Sequence, residues 1–161
     1  MAQRLAIGVI PGAGWRAADI RSVAQEAEAA GFEAILAAEV NTDVLAIAQL
    51  MGSATTTIKV GSWIANIYLR HSYVCSKHAA LIADATGGRM ILGLGVSHQP
   101  VNKALGIDMP SPINALRHYT TEVAGWPMAS CHSCGPLNAS PAARLGPHAV
   151  AQRPPAATSW R

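Results

Sequence analysis

Apolar and polar positions alternate in blocks that predict four β-strands, each followed by a helix. The predicted strands are short apolar runs at Leu5–Ile10, Phe32–Ala38, Ile58–Ile67 and Met90–Val96. Near-continuous apolar runs are typical of strands that are buried on both faces of a parallel sheet. Between them, apolar residues recur every three to four positions, which is typical of amphipathic helices. The alternation predicts an α/β fold with a parallel sheet, either doubly wound or part of a barrel.

Local signals place the helices and their buried faces. Three helices are predicted over about 17–30, 44–51 and 72–86, and Ser111 followed by Pro112 begins a fourth. The segment Pro100–Met109 is predicted to be a loop. The buried face of the third helix is predicted to consist of Val74, His78, Leu81, Ile82 and Ala85.

The pattern fails at Trp126. Residues 127–161 hold six of the ten prolines and no acidic residue, and no periodicity survives there. One interpretation is a disordered C-terminal tail. The other, which the abrupt change within a predicted helix favours, is a frame-shifted and GC-rich reading frame. The sequence therefore divides into a domain at 1–126 and a tail at 127–161.

Composition and charge narrow the class of protein. Half of the 161 residues are hydrophobic, which is enough for one domain with a core. The net charge of +3 comes from Arg144, Arg153 and Arg161, and such scattered arginines do not form the basic face that nucleic-acid binding requires. No apolar run is long enough to span a membrane. Three cysteines form no even framework, so we expect a reduced, cytoplasmic protein without a nucleic-acid or membrane partner.

A glycine pattern follows the first strand. Gly8, Gly12 and Gly14 resemble in their spacing the cofactor fingerprint of short-chain dehydrogenases, and Glu39 would suit a ribose hydroxyl. Pro11 removes one of the amide donors that such a loop uses. An NAD(P)-dependent dehydrogenase is therefore one alternative, and a turn that needs glycines is the other.

The loop after the fourth strand carries the strongest candidate chemistry. Gly93 and Gly95 would let a flat or phosphorylated ligand approach the backbone. His98 follows the strand end where parallel barrels place their active sites, and it can donate or accept a proton near neutral pH. The alternative for His98 is an exposed loop histidine.

Polar residues interrupt two of the apolar strands. Asn66 lies within the third strand, and a buried amide must be hydrogen-bonded, so it either caps a neighbouring loop or contacts a ligand. Glu39 ends the second strand, as a ligand contact or a solvated loop residue. Cys131 and Cys134 enclose a possible half zinc site, but no second pair follows, so no metal site is predicted.

Four segments together resemble the luciferase-like monooxygenase family, in its F420-dependent oxidoreductase branch. They read GFEAILAAEV, TTTIKVGSWIANIYLRH, GGRMILGLGVSHQPV and ALGIDMPSPINALRHYTTEV, and the resemblance covers about residues 4–125. It implies the N-terminal half of a (β/α)8 TIM barrel. It also implies that a flavin or deazaflavin lies over the carboxyl ends of the strands.

The resemblance implies a reaction and the residues that serve it. The reaction is hydride transfer between the deazaflavin coenzyme F420 and a small organic substrate, with FMN and oxygen activation as the alternative. His98 is the candidate catalytic proton donor. The cofactor ring is expected against Glu39, Ala65, Asn66, Gly93, Gly95, Val96 and Ser97. The Ala65–Asn66 stretch is expected to carry a bulge in the third strand.

Two departures from the family pattern change this expectation. Only four strand–helix units are present, whereas a whole barrel needs about 250 residues, and Ser72 stands where a proline is expected after His71. We therefore expect weak or no activity. A non-catalytic fragment or interaction module is the alternative. It would associate as a homo-oligomer through the unpaired first and fourth strands, two copies forming a pseudo-complete barrel.

Overall fold

Four parallel strands alternate with helices in the computed structural model, which describes residues 5–11 and 14–126. The strands are β1 (Ala6–Val9), β2 (Ala34–Ala37), β3 (Lys59–Asn66) and β4 (Met90–Gly95). The helices are α1 (Ala17–Ala29), α2 (Val44–Ala54), α3 (Ser72–Ala85), α4 (Gln99–Ala104) and α5 (Pro112–Gly125). The sheet order is β1-β2-β3-β4 and every pair is parallel. The predicted α/β architecture is confirmed, and the predicted tail at 127–161 lies outside the described residues.

The hydrophobic core lies between one face of the sheet and the helices. Ile35 in β2 and Val60 in β3 are fully buried, and Leu45 and Met51 of α2 are fully buried with them. Burial of apolar surface stabilises such a layer by roughly 25 cal/mol per Å². Among the described residues, no helix is long and apolar enough to cross a membrane.

Of the residues predicted for the buried face of α3, Ile82 is buried and the other four are not. Val74 and Leu81 are 54% and 58% exposed, Ala85 is exposed and His78 is half-buried. The residues that are buried are mostly small: Ser72, Cys75, Ser76, Ala79 and Ile82. Small side chains let α3 approach its neighbours closely, so its buried face cannot be identified from hydrophobicity alone.

A short helix, α4, replaces part of the predicted loop at Pro100–Met109. His98 occupies its N-cap position and Pro100 lies in its first turn. Proline is favoured at the start of a helix, because the missing amide donor has no partner there in any case. The proline therefore marks the beginning of a helix rather than an irregular loop.

Arg89 joins three segments at the amino ends of the strands. Its guanidinium donates to the carbonyl oxygens of Ile58 at 2.7 Å, Thr55 at 2.8 Å and Gly52 at 3.0 Å. It also donates to the Thr86 carbonyl and the Thr55 hydroxyl, each at 3.0 Å. A planar guanidinium with five donors suits such a set of acceptors, so this side chain joins the ends of α2 and α3 to the start of β3.

Glu28 ties α1 to the loop before β3. One carboxylate oxygen accepts from the amides of Thr56 at 2.9 Å, Thr57 at 2.6 Å and Ile58 at 3.0 Å. These backbone hydrogen bonds, led by those of Ile58 and Thr57, lower the pKa of Glu28 from its ordinary value of 4.5 to about 2. The charged form of Glu28 therefore stabilises the fold.

We expect Glu28→Gln to lower the free energy of unfolding at pH 7 by about 1 kcal/mol, a small value because the carboxylate contacts solvent. Because its pKa is depressed in the folded state, the native contribution is complete above pH 4.5 and declines as the pH falls towards 2. Urea unfolding at pH 7 and pH 3 measures both effects. Glu26→Gln, whose carboxylate accepts only from the exposed Ser22 hydroxyl in this region, is the control. Equal pH dependence of Glu28→Gln and the parent chain would contradict the assignment.

Candidate functional site

A cavity of about 560 Å³ opens at the carboxyl ends of β2, β3 and β4. This volume lies within the usual range for small-molecule sites, and this edge of a parallel sheet is where β/α barrels place their active sites. The lining residues come from the β2–α2 loop, the end of β3 and the β4–α4 region. They are Ala38, Glu39, Val40, Asn41, Thr42, Trp63, Ile64, Asn66, Leu69, Ser97, His98, Val101, Ala104 and Leu105.

The structure brings four of the predicted site residues together around this cavity: Glu39, Asn66, Ser97 and His98. The other four, Ala65, Gly93, Gly95 and Val96, do not line it. Ala65 is buried in the core and Val96 packs against it. That these four contact the ring stays a prediction.

The glycines of β4 are required by the neighbouring strand. A Cβ at Gly93 would lie 2.3 Å from the carbonyl oxygen of Ser62, and one at Gly95 would lie 2.9 Å from the side chain of Ile64. The Ser62 hydroxyl donates to the Gly93 carbonyl at 2.9 Å and so joins the strands further. Close packing of β3 against β4 therefore accounts for both glycines.

The bulge of the third strand lies earlier than predicted. The pairing passes from Ser62 opposite Leu92 to Ala65 opposite Leu94, so the irregularity falls before Ala65 rather than at Ala65–Asn66. The peptide bond between Trp63 and Ile64 is cis. Between these pairs, Trp63 and Ile64 of β3 lie opposite a single residue of β4, and both of them line the cavity. Sequence alternation cannot show where pairing skips a residue, which is why Trp63 was missed.

Glu39 is held in a buried ion pair. Its side chain is 3% exposed and that of Arg70 is 11% exposed. Arg70 donates to both carboxylate oxygens, one of these bonds being 3.1 Å long. The Glu39 carboxylate also accepts from the backbone amide of Asn66 at 2.6 Å and from the backbone amide of Val44 at 3.4 Å. Glu39 is thus not a solvated loop residue, and it joins the ends of β2 and β3 through Arg70, which sequence reasoning missed.

Asn66 forms a buried amide pair with Asn102. The Asn66 amide group donates to the Asn102 carbonyl oxygen at 2.9 Å, and the Asn66 oxygen accepts from the Tyr68 amide at 3.2 Å. Asn102 is completely buried and donates to the Val96 carbonyl at 2.7 Å. Its backbone amide donates to the His98 carbonyl at 3.0 Å. Asn66 therefore caps the neighbouring loop, and the pair fixes the segment that carries Ser97 and His98.

Two non-glycine residues on opposite sides of the cavity have left-handed backbones. Asn41 has φ 53° and Ser97 has φ 59°. This conformation is uncommon for residues with a side chain and costs of order 1 kcal/mol, so the surrounding structure must hold it in place. At Ser97 the adjacent Asn102 contacts do so. His98 follows at the N-cap of α4 with an exposed side chain that does not cap the helix.

Burial also affects two groups beneath the cavity. It raises the pKa of the Cys75 thiol and that of the Tyr119 hydroxyl. Tyr119 donates to the Arg70 carbonyl at 3.1 Å, so α5 supports the ion pair from below. Among residues 5–11 and 14–126, no group of three or more His, Cys, Asp or Glu side chains is arranged to hold a metal. The Cys131 and Cys134 pair lies outside them.

A parallel β/α sheet with a bulged third strand and a cavity at its carboxyl edge defines the N-terminal part of a (β/α)8 barrel. The chain belongs to the luciferase-like monooxygenase family, whose sequence profile matches residues 5–126. The resemblance inferred from the four sequence segments is confirmed.

Two curated relatives are similar to part of the chain. The 5,10-methylenetetrahydromethanopterin reductase of Methanolobus tindarius is 28% identical over 86 residues, which is 53% of this chain and 26% of the relative. A protein of Mycobacterium tuberculosis, provisionally named a coenzyme F420-dependent oxidoreductase, is 34% identical over 95 residues, covering 58% and 27%. The matched part thus spans about a quarter of the length of these relatives.

Solved structures match the fold. The coenzyme F420-dependent tetrahydromethanopterin reductase from Methanopyrus kandleri has a TM-score of 0.69 at 23% identity, covering 75% of this chain and 39% of that one. The oxygenating constituent of 3,6-diketocamphane monooxygenase from Pseudomonas putida, in complex with FMN, has a TM-score of 0.63 at 14% identity, covering 76% and 39%. At these identities the matches establish the fold alone.

The glycines that suggested a dehydrogenase have another setting. Gly8 lies within β1, where an added Cβ would be 3.0 Å from the indole of Trp63. Gly14 has φ 87° in the turn before α1, and Gly12 lies outside the described residues. The close approach of an indole explains Gly8 without a bound dinucleotide.

Proposed function

We propose that this chain carries the ring-contacting part of an F420-dependent oxidoreductase, which transfers a hydride between the deazaflavin and a small organic substrate. The observation that carries the proposal is the cavity at the carboxyl strand ends, which is lined by Glu39, Asn66, Ser97 and His98. The relative from Mycobacterium tuberculosis and the structure from Methanopyrus kandleri, both named as F420-dependent, support it. The FMN complex supports FMN as the second candidate cofactor.

The residues that are present fit a flat, partly polar ring. Trp63, Ile64 and Leu69 give the cavity apolar surface, while Ser97 and His98 give it polar groups. Such a mixture of apolar walls and few polar groups is usual for cofactor sites. A bound deazaflavin would supply the carbon that gives or takes the hydride.

The chain's own side chains would orient the reactants and move the proton. His98 would exchange a proton with the substrate, because its exposed imidazole lines the cavity and an imidazole can act as proton donor or acceptor. The Asn66–Asn102 pair would hold the His98 segment in place. The Glu39–Arg70 pair would fix the opposite wall, and the apolar side chains would exclude water.

We further propose that the chain alone binds cofactor weakly and has little or no turnover. It matches about a quarter of its curated relatives' length. In the whole barrel of the family, the later strands are expected to supply much of the surface that binds phosphate and substrate. A non-catalytic fragment is the second candidate function, favoured by the two unpaired edge strands of the described sheet.

Titration of the purified chain with F420 and, separately, with FMN tests the proposal by cofactor fluorescence. We expect F420 to bind at least about 10-fold more tightly than FMN, a difference of about 1.4 kcal/mol. Ile64→Lys, in the cavity wall, is expected to weaken F420 binding about 10-fold or more, whereas Ile113→Lys, at a position 73% exposed on α5, is expected to leave it unchanged. Tighter FMN binding would move the assignment to FMN, and no binding of either would leave the fragment alternative. Turnover of about 1 s⁻¹ or more, ordinary for enzymes, would contradict the expected low activity.

A further inference from the structure

The β1 edge of the sheet has backbone groups with no partner strand among the described residues. The carbonyls of Leu5 and Val9 accept hydrogen bonds from amides of the β2 region. Since consecutive peptide groups of a strand point to opposite sides, Ala6 and Gly8 direct their N–H and C=O groups away from β2. A parallel strand placed beside β1 could therefore form hydrogen bonds with the N–H and C=O groups of Ala6 and Gly8.

The β4 edge is open in the same way. The carbonyl of Arg89 accepts from the Val60 amide of β3, and that of Gly95 accepts from the amide of Ile67, the residue after β3. Met90, Leu92 and Leu94 alternate with these residues, so they direct their peptide groups away from β3. The sheet order places β1 and β4 at its two ends, so both edges lack a neighbouring strand in the described part of the chain.

The sheet face opposite the helices is also uncovered. Trp63 lies across it from β3 to β1, with its ring against Gly8, and is 57% exposed. A small apolar hollow of about 120 Å³, lined by Ala6, Gly8, Leu36 and Trp63 among others, opens beside the indole. A large indole is unusual on the exposed face of a sheet, because burial of an aromatic side chain contributes strongly to stability.

We propose that a second copy of this chain closes the sheet into an eight-stranded parallel barrel, with β4 of each copy beside β1 of its partner. Four strands of an eight-stranded barrel describe half a turn, so a two-fold axis along the barrel closes the ring after two copies. The sheet matches the N-terminal part of a solved barrel structure with a TM-score of 0.69, so its strands follow the course of one half of such a barrel.

The chemistry of the edges fits a second copy. Neither edge strand contains a charged residue, so β4 and the partner's β1 bring no like charges together. Lys59 of β3, which by strand alternation lies on the same face as Trp63, is already paired with Glu33 at 2.9 Å. Both edges belong to strands of the same direction, so β4 meets the partner's β1 as a parallel pair. The two Trp63 rings would lie inside the closed barrel, as interior side chains do in eight-stranded barrels.

Sedimentation of the full chain between 1 and 100 µM tests the proposal. We expect a species of twice the 16.7-kDa chain mass that dissociates on dilution. Ala6→Pro removes an outward amide donor while leaving the groups that pair with β2, and is expected to weaken association at least about 10-fold. Ala17→Pro, at the first position of α1 where proline is tolerated, is the matched control and is expected to leave association unchanged.

Amide hydrogen exchange on the unmodified chain makes the test independent of any variant that fails to fold. At 100 µM the outward amides of Gly8, Leu92 and Leu94 are expected to exchange at least about 10-fold more slowly than at 1 µM. A monomer at 100 µM, an open-ended series of larger species, or a dimer that leaves these amides unprotected or survives Ala6→Pro would overturn the proposal.

Discussion

Glu39→Gln is expected to lower the free energy of unfolding by about 3–5 kcal/mol, the usual cost of removing one partner from a buried ion pair. The Arg70 guanidinium, 11% exposed, would keep its charge with only the longer contact to the more exposed Asp43 carboxylate, at 3.4 Å, as a counter-ion. The glutamine oxygen can still accept from the Asn66 amide, so the loss reports mainly on charge. Chemical denaturation at pH 7 measures the effect.

Two further variants separate charge burial from loss of contact. Glu33→Gln alters the more exposed pair with Lys59, whose nitrogen lies 2.9 Å from the carboxylate, and is expected to cost about 1 kcal/mol or less. The double variant Glu39→Gln with Arg70→Met removes both charges and is expected to recover part of the stability lost by Glu39→Gln. A double variant less stable than Glu39→Gln alone would show that the contacts of Arg70, including the one with Asp43, dominate over the loss of its main counter-ion.

Gly61→Ala is expected to destabilise the chain by about 3 kcal/mol or more and to separate β3 from β4 locally. An added Cβ would lie 1.8 Å from the carbonyl oxygen of Ile91, the residue opposite Gly61 in the ladder. Backbone atoms on a paired strand cannot move aside without breaking hydrogen bonds, so the cost exceeds that of ordinary overpacking. Thermal unfolding and amide exchange of β4 measure the change.

Gly125→Ala is the matched control for this substitution. It makes the same chemical change at the end of α5, where an added Cβ would meet no atom within 4 Å. Alanine favours a helix over glycine by about 0.5–1 kcal/mol, so this variant is expected to be equal to the parent chain or slightly more stable. Equal stability of the Gly61 and Gly125 variants would mean that β3 and β4 are not packed as described.

The strands and the order of the elements could be predicted from the sequence, because they depend on local apolar runs. The buried face of α3 could not, because Ser72, Ser76 and Ala79 take the positions that hydrophobicity would assign to Val74 and Leu81. Helix α4 was not predicted, because Pro100 was read as part of a loop, whereas it lies in the first turn of the helix. In both cases the burial or the conformation of a residue depends on its tertiary environment and not on the local sequence alone.

The candidate site was predictable where one polar residue broke an apolar pattern. Asn66 and Glu39 were found in this way and line the cavity, and His98, which also lines it, was found from its place in the loop that follows the fourth strand. Their partners Arg70 and Asn102 were not found, because a polar residue in a polar segment gives no local signal. The partners become visible only when the fold brings residues 31 and 36 positions apart into contact.

The sheet order has a consequence for how the molecule is made. Each strand pairs with the strand that precedes it in the chain, so no strand waits for a partner far downstream. Folding of such a domain can keep pace with its emergence from the ribosome, one strand–helix unit at a time. At every stage of synthesis the most recent strand forms an open edge of the sheet, to which the following strand can pair.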